Sequence, residues 1–260
     1  MSEYRNVRPT NVLLRRPFGD HAIEKYFSEN PLKIYGEVEL PHDGAGERYP
    51  VWATQALPRD IPRDTTPMQA ELFGAYLVDY GQCRFVGSPP AGDIVTHYTL
   101  RAPELMLDVS YGTKVDVWAV GCLVFELLTG ESLFDPKSFN GGDDTGTGNR
   151  KLDDAHLAQM MDLWGEQLSA AFLDKSAIRS QFFNEHGDLL RKPRRHMQTI
   201  EACLAACAHL RPKPGDVEQI ASFVRECTRL DPVQSATASE LTIHPWMVDA
   251  YMVGSTYPVF

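Results

Sequence analysis

The feature that most constrains the fold of this chain is an apolar run from Thr113 to Thr129. Its residues are apolar nearly all round a helix, which is typical of a helix buried inside a domain. The apolar part, Val115 to Leu128, contains Asp116 and is too short to cross roughly 30 Å of hydrocarbon. Thr113 can cap the start of the helix, with Asp116 three residues later, and Gly130 can end it. The sequence therefore predicts a globular domain built around this helix.

Composition and charge narrow the classes of function. The 260 residues are 43% hydrophobic and 23% charged, as in ordinary globular domains. The net charge of −10 disfavours direct nucleic-acid binding, which depends on Lys and Arg side chains that neutralise phosphates. The five cysteines are scattered without disulfide or zinc-like spacing, and no basic leader precedes an apolar run. We therefore expect a soluble protein of the cytoplasm or nucleus without membrane contact.

Local patterns predict mainly helices and one small hairpin. We expect strands over Val12 to Leu14 and Ala75 to Val78, joined by an irregular insertion over residues 17–70. Thr237 and Glu240 have the spacing of a capping box at the start of a helix. Further helices are predicted over Asp20 to Phe27, Asp153 to Trp164, Met197 to Leu210, Val217 to Leu230 and Thr237 to His244.

Three segments in one order carry a resemblance to a known family. They are Tyr4 to Asn11 (YRNVRPTN), Asp79-Tyr80-Gly81, and Arg101-Ala102-Pro103-Glu104 followed by the Asp116-Val117-Trp118 helix. Together with Asp231-Pro232 and His244-Pro245-Trp246, this succession resembles eukaryotic protein kinases. The chain is most similar to SR-protein kinases in three places: Arg101, the Leu133 to Pro136 segment and the insert from Lys151 to Leu190. The long hairpin insertion is similar to that of their fungal branch.

The resemblance implies a fold and a domain organisation. We expect a mainly α, kinase-like C-lobe with a small β-hairpin near the N-terminus. The β-rich N-lobe is expected to be missing, because only five residues precede Asn6. Residues 1–250 would form the partial kinase domain and residues 251–260 a tail. Within the domain, we expect a catalytic loop at 3–14, the hairpin insertion at 17–70, an activation segment at 79–104 and a helical remainder at 113–250.

Three residues occupy positions that bind ATP and Mg²⁺ in the family that the chain resembles. Phosphoryl transfer needs oxygen ligands for magnesium and positive charge near the phosphates, because catalysis is mostly positioning and charge stabilisation. The resemblance makes Asn11 and Asp79 the metal ligands, and Arg8 the phosphate contact where the family usually has lysine. Taken alone, Asp79 also fits an ordinary turn aspartate, and Asn11 fits a turn cap.

Asn6 departs from the family at the position of the catalytic base. Its neutral amide cannot accept a proton at physiological pH, and loss of a general base costs roughly 10²- to 10⁴-fold in rate. In the substrate-site loop, His97 and Leu100 stand where the resemblance places Thr and Tyr. The resemblance therefore implies impaired catalysis and altered substrate recognition.

Three further positions are structural in the family. Arg101 directly precedes Ala-Pro-Glu, and the Glu104 that follows usually pairs with an arginine, at a position where this chain has Ser235. The loss of one member of a buried ion pair costs roughly 3 to 5 kcal/mol. Asp116 tethers the catalytic-loop backbone in the family, and it also fits an acid that interacts with the positive end of a helix dipole.

These features support hypotheses from two classes of protein. The first is a serine/threonine protein kinase homologue, truncated and inactive as written, whose relatives would use ATP and Mg²⁺ on Arg/Ser-rich proteins. The second is a non-catalytic, pseudokinase-type interaction module that docks on a protein partner. A start upstream of Met1, with an N-lobe encoded there, is a third alternative.

Overall fold

The computed structural model describes residues 2–4, 6–15, 20–39, 48–53, 74–85, 96–139, 149–191, 198–208, 210 and 214–248. The chain divides into two units, one made of residues 1–13 with 76–260 and the other of residues 14–75. Within the described ranges, no helix has both the length and the apolar character needed to span a bilayer.

Helices predominate over strands in the described residues, as the sequence predicts. The strands are β1 (Ser2–Glu3), β2 (Val12–Arg15), β3 (Ile34–Glu39), β4 (Arg48–Trp52), β5 (Gly74–Leu77) and β6 (Arg84–Phe85). They form three two-stranded sheets, in which β1 pairs with β6, β2 with β5 and β3 with β4. The helices are α1 (Asp20–Glu29), α2 (Pro103–Met106), α3 (Lys114–Thr129), α4 (Pro136–Phe139), α5 (Asn149–Trp164), α6 (Ala170–Leu173), α7 (Ile200–Ala206), α8 (Asp216–Cys227) and α9 (Ala238–Leu241).

The pairing of β2 with β5 confirms the predicted hairpin. Beyond the strands, the Val78 amide donates a hydrogen bond of 3.0 Å to the Asn11 carbonyl oxygen. This bond connects the end of β5 to a 3₁₀ turn at Pro9–Asn11, which directly precedes β2. The hairpin therefore brings the predicted catalytic loop next to the segment that begins at Asp79.

The unit of residues 14–75 contains a second hairpin that the sequence analysis missed. β3 and β4 pair antiparallel, with Val38 opposite Tyr49 and Glu39 opposite Arg48. All residues of β3 are exposed. The predicted helix near Asp20 is confirmed as α1, but the prediction of an otherwise irregular insertion is wrong, because β3 and β4 form a regular antiparallel pair there.

Helix α3 lies at the centre of the larger unit, as predicted. Its Trp118 is 2% exposed and stacks on Phe134, with ring centroids 5.6 Å apart. Gly130 ends the helix with a φ of 78°, a left-handed conformation that glycine adopts without strain. Thr113 occupies the N-cap position as predicted, but its side chain makes no capping hydrogen bond.

A close contact joins α3 to α8. A Cβ atom added at Gly121 would lie 2.5 Å from the Cβ of Cys227 and 2.9 Å from the Cγ2 of Thr228. Real Cβ atoms do not approach so closely, so only glycine fits at this crossing. The contact fixes the separation between the two helices that carry much of the core.

The remaining helices occur where the sequence predicts them, with different bounds. α5 begins at Asn149, before the predicted start, and α7 is shorter than predicted, because Thr199 caps its start and the backbone is extended at Cys207. The capping box at α9 is confirmed: Thr237 accepts from the Glu240 amide, and the Glu240 carboxylate accepts from the Thr237 amide. The predicted tail at 251–260 lies outside the described residues.

Candidate functional site

The predicted catalytic loop is held by hydrogen bonds at Tyr4. The Tyr4 amide donates to Asp116 Oδ2 at 2.8 Å, which is the backbone tether implied by the resemblance. The Tyr4 hydroxyl donates to the Val78 carbonyl oxygen. Its ring meets Tyr80 edge to face, with centroids 5.3 Å apart. Asp116 therefore contacts the loop, and Tyr4 connects α3 to the end of the β5 segment.

Asn6 is buried at 6% exposure and binds the predicted metal ligand directly. Its Nδ2 atom donates to Asp79 Oδ2 at 2.6 Å. Its backbone carbonyl accepts from Nδ2 of Asn11 at 2.9 Å. The position of the catalytic base thus holds a neutral donor that faces a carboxylate, where a second carboxylate would repel it.

Asp79 follows β5 and begins a 3₁₀ turn at Tyr80–Gln82. Its backbone is left-handed, with φ 67° and ψ 61°, a conformation that aspartate tolerates better than most residues. The side chain is 50% exposed, and its Oδ2 atom lies 3.8 Å from Arg8 Nη2. One carboxylate oxygen therefore faces two nitrogen donors, which leaves Oδ1 for other ligands.

The oxygen donors at this site fit a magnesium ion. Asn11 is buried, its Nδ2 atom donates to the Asn6 carbonyl oxygen, and its amide oxygen is the atom that would bind a metal. Mg²⁺ in nucleotide sites binds to one or two protein oxygens, with waters and phosphates completing the shell. No cluster of three His, Cys, Asp or Glu side chains that could hold a metal occurs among the described residues. The Asn11 and Asp79 pair matches the sparse protein ligation that Mg²⁺ uses beside a nucleotide.

Arg8 lies beside Asp79, and its charge makes only a weak ion pair with that carboxylate. Its side chain is 39% exposed, and the 3.8 Å contact to Asp79 is long for an ion pair. Exposed pairs of this kind contribute little free energy, about 0–1 kcal/mol. The Nε atom is buried and has no hydrogen-bond partner among the described residues. The guanidinium can therefore turn to a phosphate at small cost.

Glu104 is buried without a cation. It is 2% exposed, and no Lys or Arg of the described residues pairs with it. Burial, with a smaller contribution from the nearby Asp231 carboxylate, raises the pKa of Glu104 to about 7. Ser235, at the position that holds arginine in the family, donates its hydroxyl instead to the Glu226 and Cys227 carbonyl oxygens, both at 3.3 Å.

The loop of residues 96–101 is held by Arg101 and Tyr98. Arg101 Nε donates to the Thr96 carbonyl oxygen at 3.2 Å, and its guanidinium lies 5.3 Å from the centre of the Tyr98 ring. The Tyr98 hydroxyl donates to Asp153 Oδ1 of α5 at 2.9 Å. Leu100 is buried at 3% exposure. The loop therefore places an apolar side chain inward where the resemblance implies a polar one.

His156 of α5 lies beneath this loop. Its ring is 5.3 Å from the rings of both Tyr98 and Phe134. Neither ring nitrogen has a hydrogen-bond partner within the described part of the chain. Burial, with a smaller contribution from the nearby Arg101 charge, lowers the pKa of His156 to about 3. A neutral histidine therefore fills an aromatic layer under the loop.

The comparisons with known proteins identify the family. The model of the protein kinase domain family matches residues 69–247, which are more than half of the chain. The chain belongs to the protein kinase family. The match begins after Asn11, so the roles of Asn6, Arg8 and Asn11 in this kinase domain are argued from geometry and resemblance.

Several relatives of this kinase domain are SR-protein kinases, which confirms the predicted similarity. The serine/threonine-protein kinase SKY1 of Saccharomyces cerevisiae is 32% identical over 160 residues, or 59% of this chain and 20% of that protein. The serine/threonine-protein kinase SRPK of Physarum polycephalum is 31% identical over 57% of this chain and 33% of its own length. The SRSF protein kinase 3 of Mus musculus is 28% identical over 70% of this chain and 30% of its own length. The chain thus spans between a fifth and a third of these three relatives.

A solved structure supports the fold of the kinase domain. A crystal structure of another kinase domain superposes with a TM-score of 0.54 and 19% identity, over 95% of this chain and 59% of that chain. At this identity the likeness concerns the fold alone, and it confirms the predicted kinase-like fold. The predicted absence of an N-lobe stays a prediction.

Two residues that contribute to the kinase site were missed by sequence reasoning. The sequence analysis assigns Tyr4 no role of its own beyond its place in the first motif. In the structure, its amide, hydroxyl and ring all connect the catalytic loop to other segments. Tyr98 lies between the two loop positions that drew attention, and its hydroxyl reaches Asp153. Their position inside the motif segments was a signal for both, but the contacts depend on the tertiary fold.

Proposed function

We propose that the chain is a serine/threonine protein kinase homologue of the SR-protein-kinase type, with phosphoryl transfer impaired at Asn6. Its Arg8, Asn11 and Asp79 side chains supply the catalytic-loop side of an ATP site. The family membership and the SR-protein kinase relatives support the class of reaction. The geometry of Asn6 supports the impairment.

The single observation that carries the proposal is the 2.6 Å hydrogen bond from Asn6 Nδ2 to Asp79 Oδ2. Because Asn6 gives its nitrogen to Asp79, it presents no negative oxygen there to orient an attacking hydroxyl. The amide oxygen is neutral and has no useful basicity at physiological pH. A rate lower by roughly 10²- to 10⁴-fold than that of the aspartate form follows.

Mg²⁺ would be held by Asn11 and Asp79, and when bound it would neutralise charge on the ATP phosphates. Arg8 lies where it can add positive charge at a terminal phosphate, since its contact to Asp79 is long. Asn6 fixes the orientation of the Asp79 carboxylate before a metal arrives. A hydrogen-bond donor of the chain itself therefore orders this side of the ATP site.

The substrate and location follow from the relatives as part of this proposal. An Arg/Ser-rich protein is the expected substrate class, and cytoplasm or nucleus the expected location. Leu100 is buried in the substrate-site loop, so the preference next to the phosphorylated residue is expected to differ from that of relatives with a polar side chain there. The alternative of a non-catalytic interaction module is tested by the same experiment.

A thermal-shift titration of the full chain with ATP, with and without Mg²⁺, is the first test. A ligand that binds only the folded state raises its melting temperature with occupancy. We expect a rise for the wild type that requires Mg²⁺ and that Asp79→Ala abolishes. Glu185→Ala, an exposed acid outside the site, is the matched control and should keep the rise.

Asn6→Asp tests the role of the amide. Without Mg²⁺, two carboxylates would meet where the 2.6 Å hydrogen bond now lies, so the melting temperature should fall, and Mg²⁺ should restore it. Transfer of phosphate to an Arg/Ser-rich peptide should rise by about 10²- to 10⁴-fold over the wild type. Equal transfer by both forms would refute the impairment. If Mg²⁺ restores the melting temperature of Asn6→Asp but no phosphate is transferred, the interaction module is favoured.

A further inference from the structure

A cavity of about 390 Å³ opens at the surface of the larger unit. Its lining residues do not include Asn6 or Asp79. It lies between α3, α5, α7 and the segment that follows α3. Its walls are largely apolar and include Phe125, Leu133, Ile200 and Ala206. Small-molecule sites in proteins are concave and mostly apolar, with volumes of about 300–1,000 Å³ and a few polar groups. The size and the walls of this cavity fall within that description.

One buried polar atom at this cavity has no partner. Gln159 of α5 is 4% exposed and lines the cavity, and its Oε1 atom has no hydrogen bond to any described residue. Its Nε2 atom donates to the Asp135 carbonyl oxygen at 3.1 Å. Because that carbonyl can only accept, the amide cannot turn over to exchange its two ends. A buried acceptor is therefore kept unpaired by its own neighbour.

An unpaired buried acceptor is costly, by about 1–3 kcal/mol. A ligand that donates one hydrogen bond to it would remove that cost while its remaining surface covers the apolar walls. The polar atom thus selects a donor, and the walls select an apolar or aromatic body. An anionic ligand is disfavoured, because the described lining includes Glu131 and Asp135 and no Lys or Arg side chain.

Two cysteines also line the cavity, one helical turn apart, one in α7 and one directly after it. Cys203 and Cys207 are half-buried free thiols. The Cys207 thiol donates to the Cys203 carbonyl oxygen, with the sulfur 3.3 Å from that oxygen. Burial raises the pKa of the Cys203 thiol, so it is not an activated nucleophile at neutral pH. The thiols are therefore part of the wall, and they can report whether the wall is covered.

We propose that this cavity binds a small aromatic or apolar molecule that carries one hydrogen-bond donor, which it gives to Gln159 Oε1. The inference does not depend on the ATP site or on the Asn6 argument. It assigns to the helical side of the domain a ligand site with its own selectivity.

The probe is indole, with 1-methylindole as its matched control. The two rings have nearly the same apolar surface, but only indole has an N–H donor. Binding is measured as protection of Cys203 and Cys207 from iodoacetamide, read by mass spectrometry of the full chain. Cys83, half-buried elsewhere, serves as the internal reference that neither probe should protect. We expect indole to protect at a concentration about tenfold lower than 1-methylindole, the ratio expected from one satisfied buried acceptor.

Two variants separate the hydrogen bond from the cavity. Gln159→Met keeps a similar shape without the amide oxygen, so the tenfold preference for indole should disappear while both probes still protect. Ala206→Trp at the exposed rim should fill the entrance and abolish protection by both probes without disturbing buried residues. Gln181→Met, an exposed glutamine elsewhere, should leave the preference unchanged. Equal protection by the two probes in the wild type, or no protection by either, would overturn the proposal.

Discussion

Replacing Glu104 with glutamine should change how the stability of the protein depends on pH. Glu104 is 2% exposed and has no cation among the described residues, so its charged form is unfavourable in the folded state. Gln keeps the shape of the protonated acid and cannot ionise. The substitution therefore removes the charge and leaves the packing nearly unchanged.

The magnitude follows from the two pKa values of Glu104. The folded pKa is about 7, against the ordinary value of 4.5. Because the folded pKa is the higher one, the unfolded chain loses its proton first as pH rises, and the folded state loses stability from pH 4.5 until pH passes about 7. At about 1.36 kcal/mol for each pH unit between the two pKa values, the loss of unfolding free energy reaches about 3 kcal/mol near pH 8. Glu104→Gln should be equal to the wild type near pH 4 and about 3 kcal/mol more stable near pH 8.

The assay is urea unfolding of both proteins at a series of pH values, followed by tryptophan fluorescence, since Trp118 lies in the core. The quantity of interest is the difference between the two unfolding free energies at each pH. Glu166→Gln, an exposed acid, is the control and should show no trend. A difference for Glu104→Gln that does not vary with pH would refute the argument, because it would mean that Glu104 stays charged and paired in the folded protein.

Three further substitutions test the packing. Gly121→Ala should lower stability by about 1–3 kcal/mol in thermal unfolding, because the new Cβ would lie 2.5 Å from that of Cys227; an unchanged melting temperature would mean that α3 and α8 can move apart freely. His156→Phe should stabilise the protein most at acid pH. The pKa of His156 is about 3 in the folded state against 6.5 ordinarily, so wild-type stability falls as pH drops below 6.5. Equal loss of the circular dichroism signal by both forms on acidification would contradict this. Thr237→Ala should cost about 1 kcal/mol by removing the cap of α9, measured by urea unfolding, and no loss would show that the capping box is redundant.

The elements that the sequence predicts well are those in which local pattern and burial agree. α3 is apolar around its circumference and is buried, and the Thr237 capping box depends only on residues three positions apart. β3 and β4 were missed because all residues of β3 are exposed and only Val51 of β4 is partly buried, so no apolar face directed at a core marks either strand. The alternation of Ile34, Gly36 and Val38 was a signal that the irregular composition of the insertion obscured.

The site residues could be chosen from motifs, but their interactions could not. The order of the segments placed Asn6 and Asp79 in one site, yet nothing in the sequence indicates that the amide donates to the carboxylate. The one exception is the tether from Asp116 to the backbone of the catalytic loop, which came from the family resemblance and not from local pattern. Such partners lie far apart in the chain, and local propensity carries no information about them. The loss of the usual arginine partner of Glu104 was predictable from the identity of Ser235, whereas the burial of Glu104 was known only from the fold.

Tyr4 is held by residues that lie far from it in the chain. Its amide partner, Asp116, is 112 residues away, and its hydroxyl partner, Val78, is 74 residues away. Contacts at such separations form late in folding, because the loop must close before they can stabilise it. α3 needs only neighbouring residues and can form first. We therefore expect the catalytic loop to be the last part of this unit to order and the first to open, with amide hydrogens that exchange sooner than those of α3.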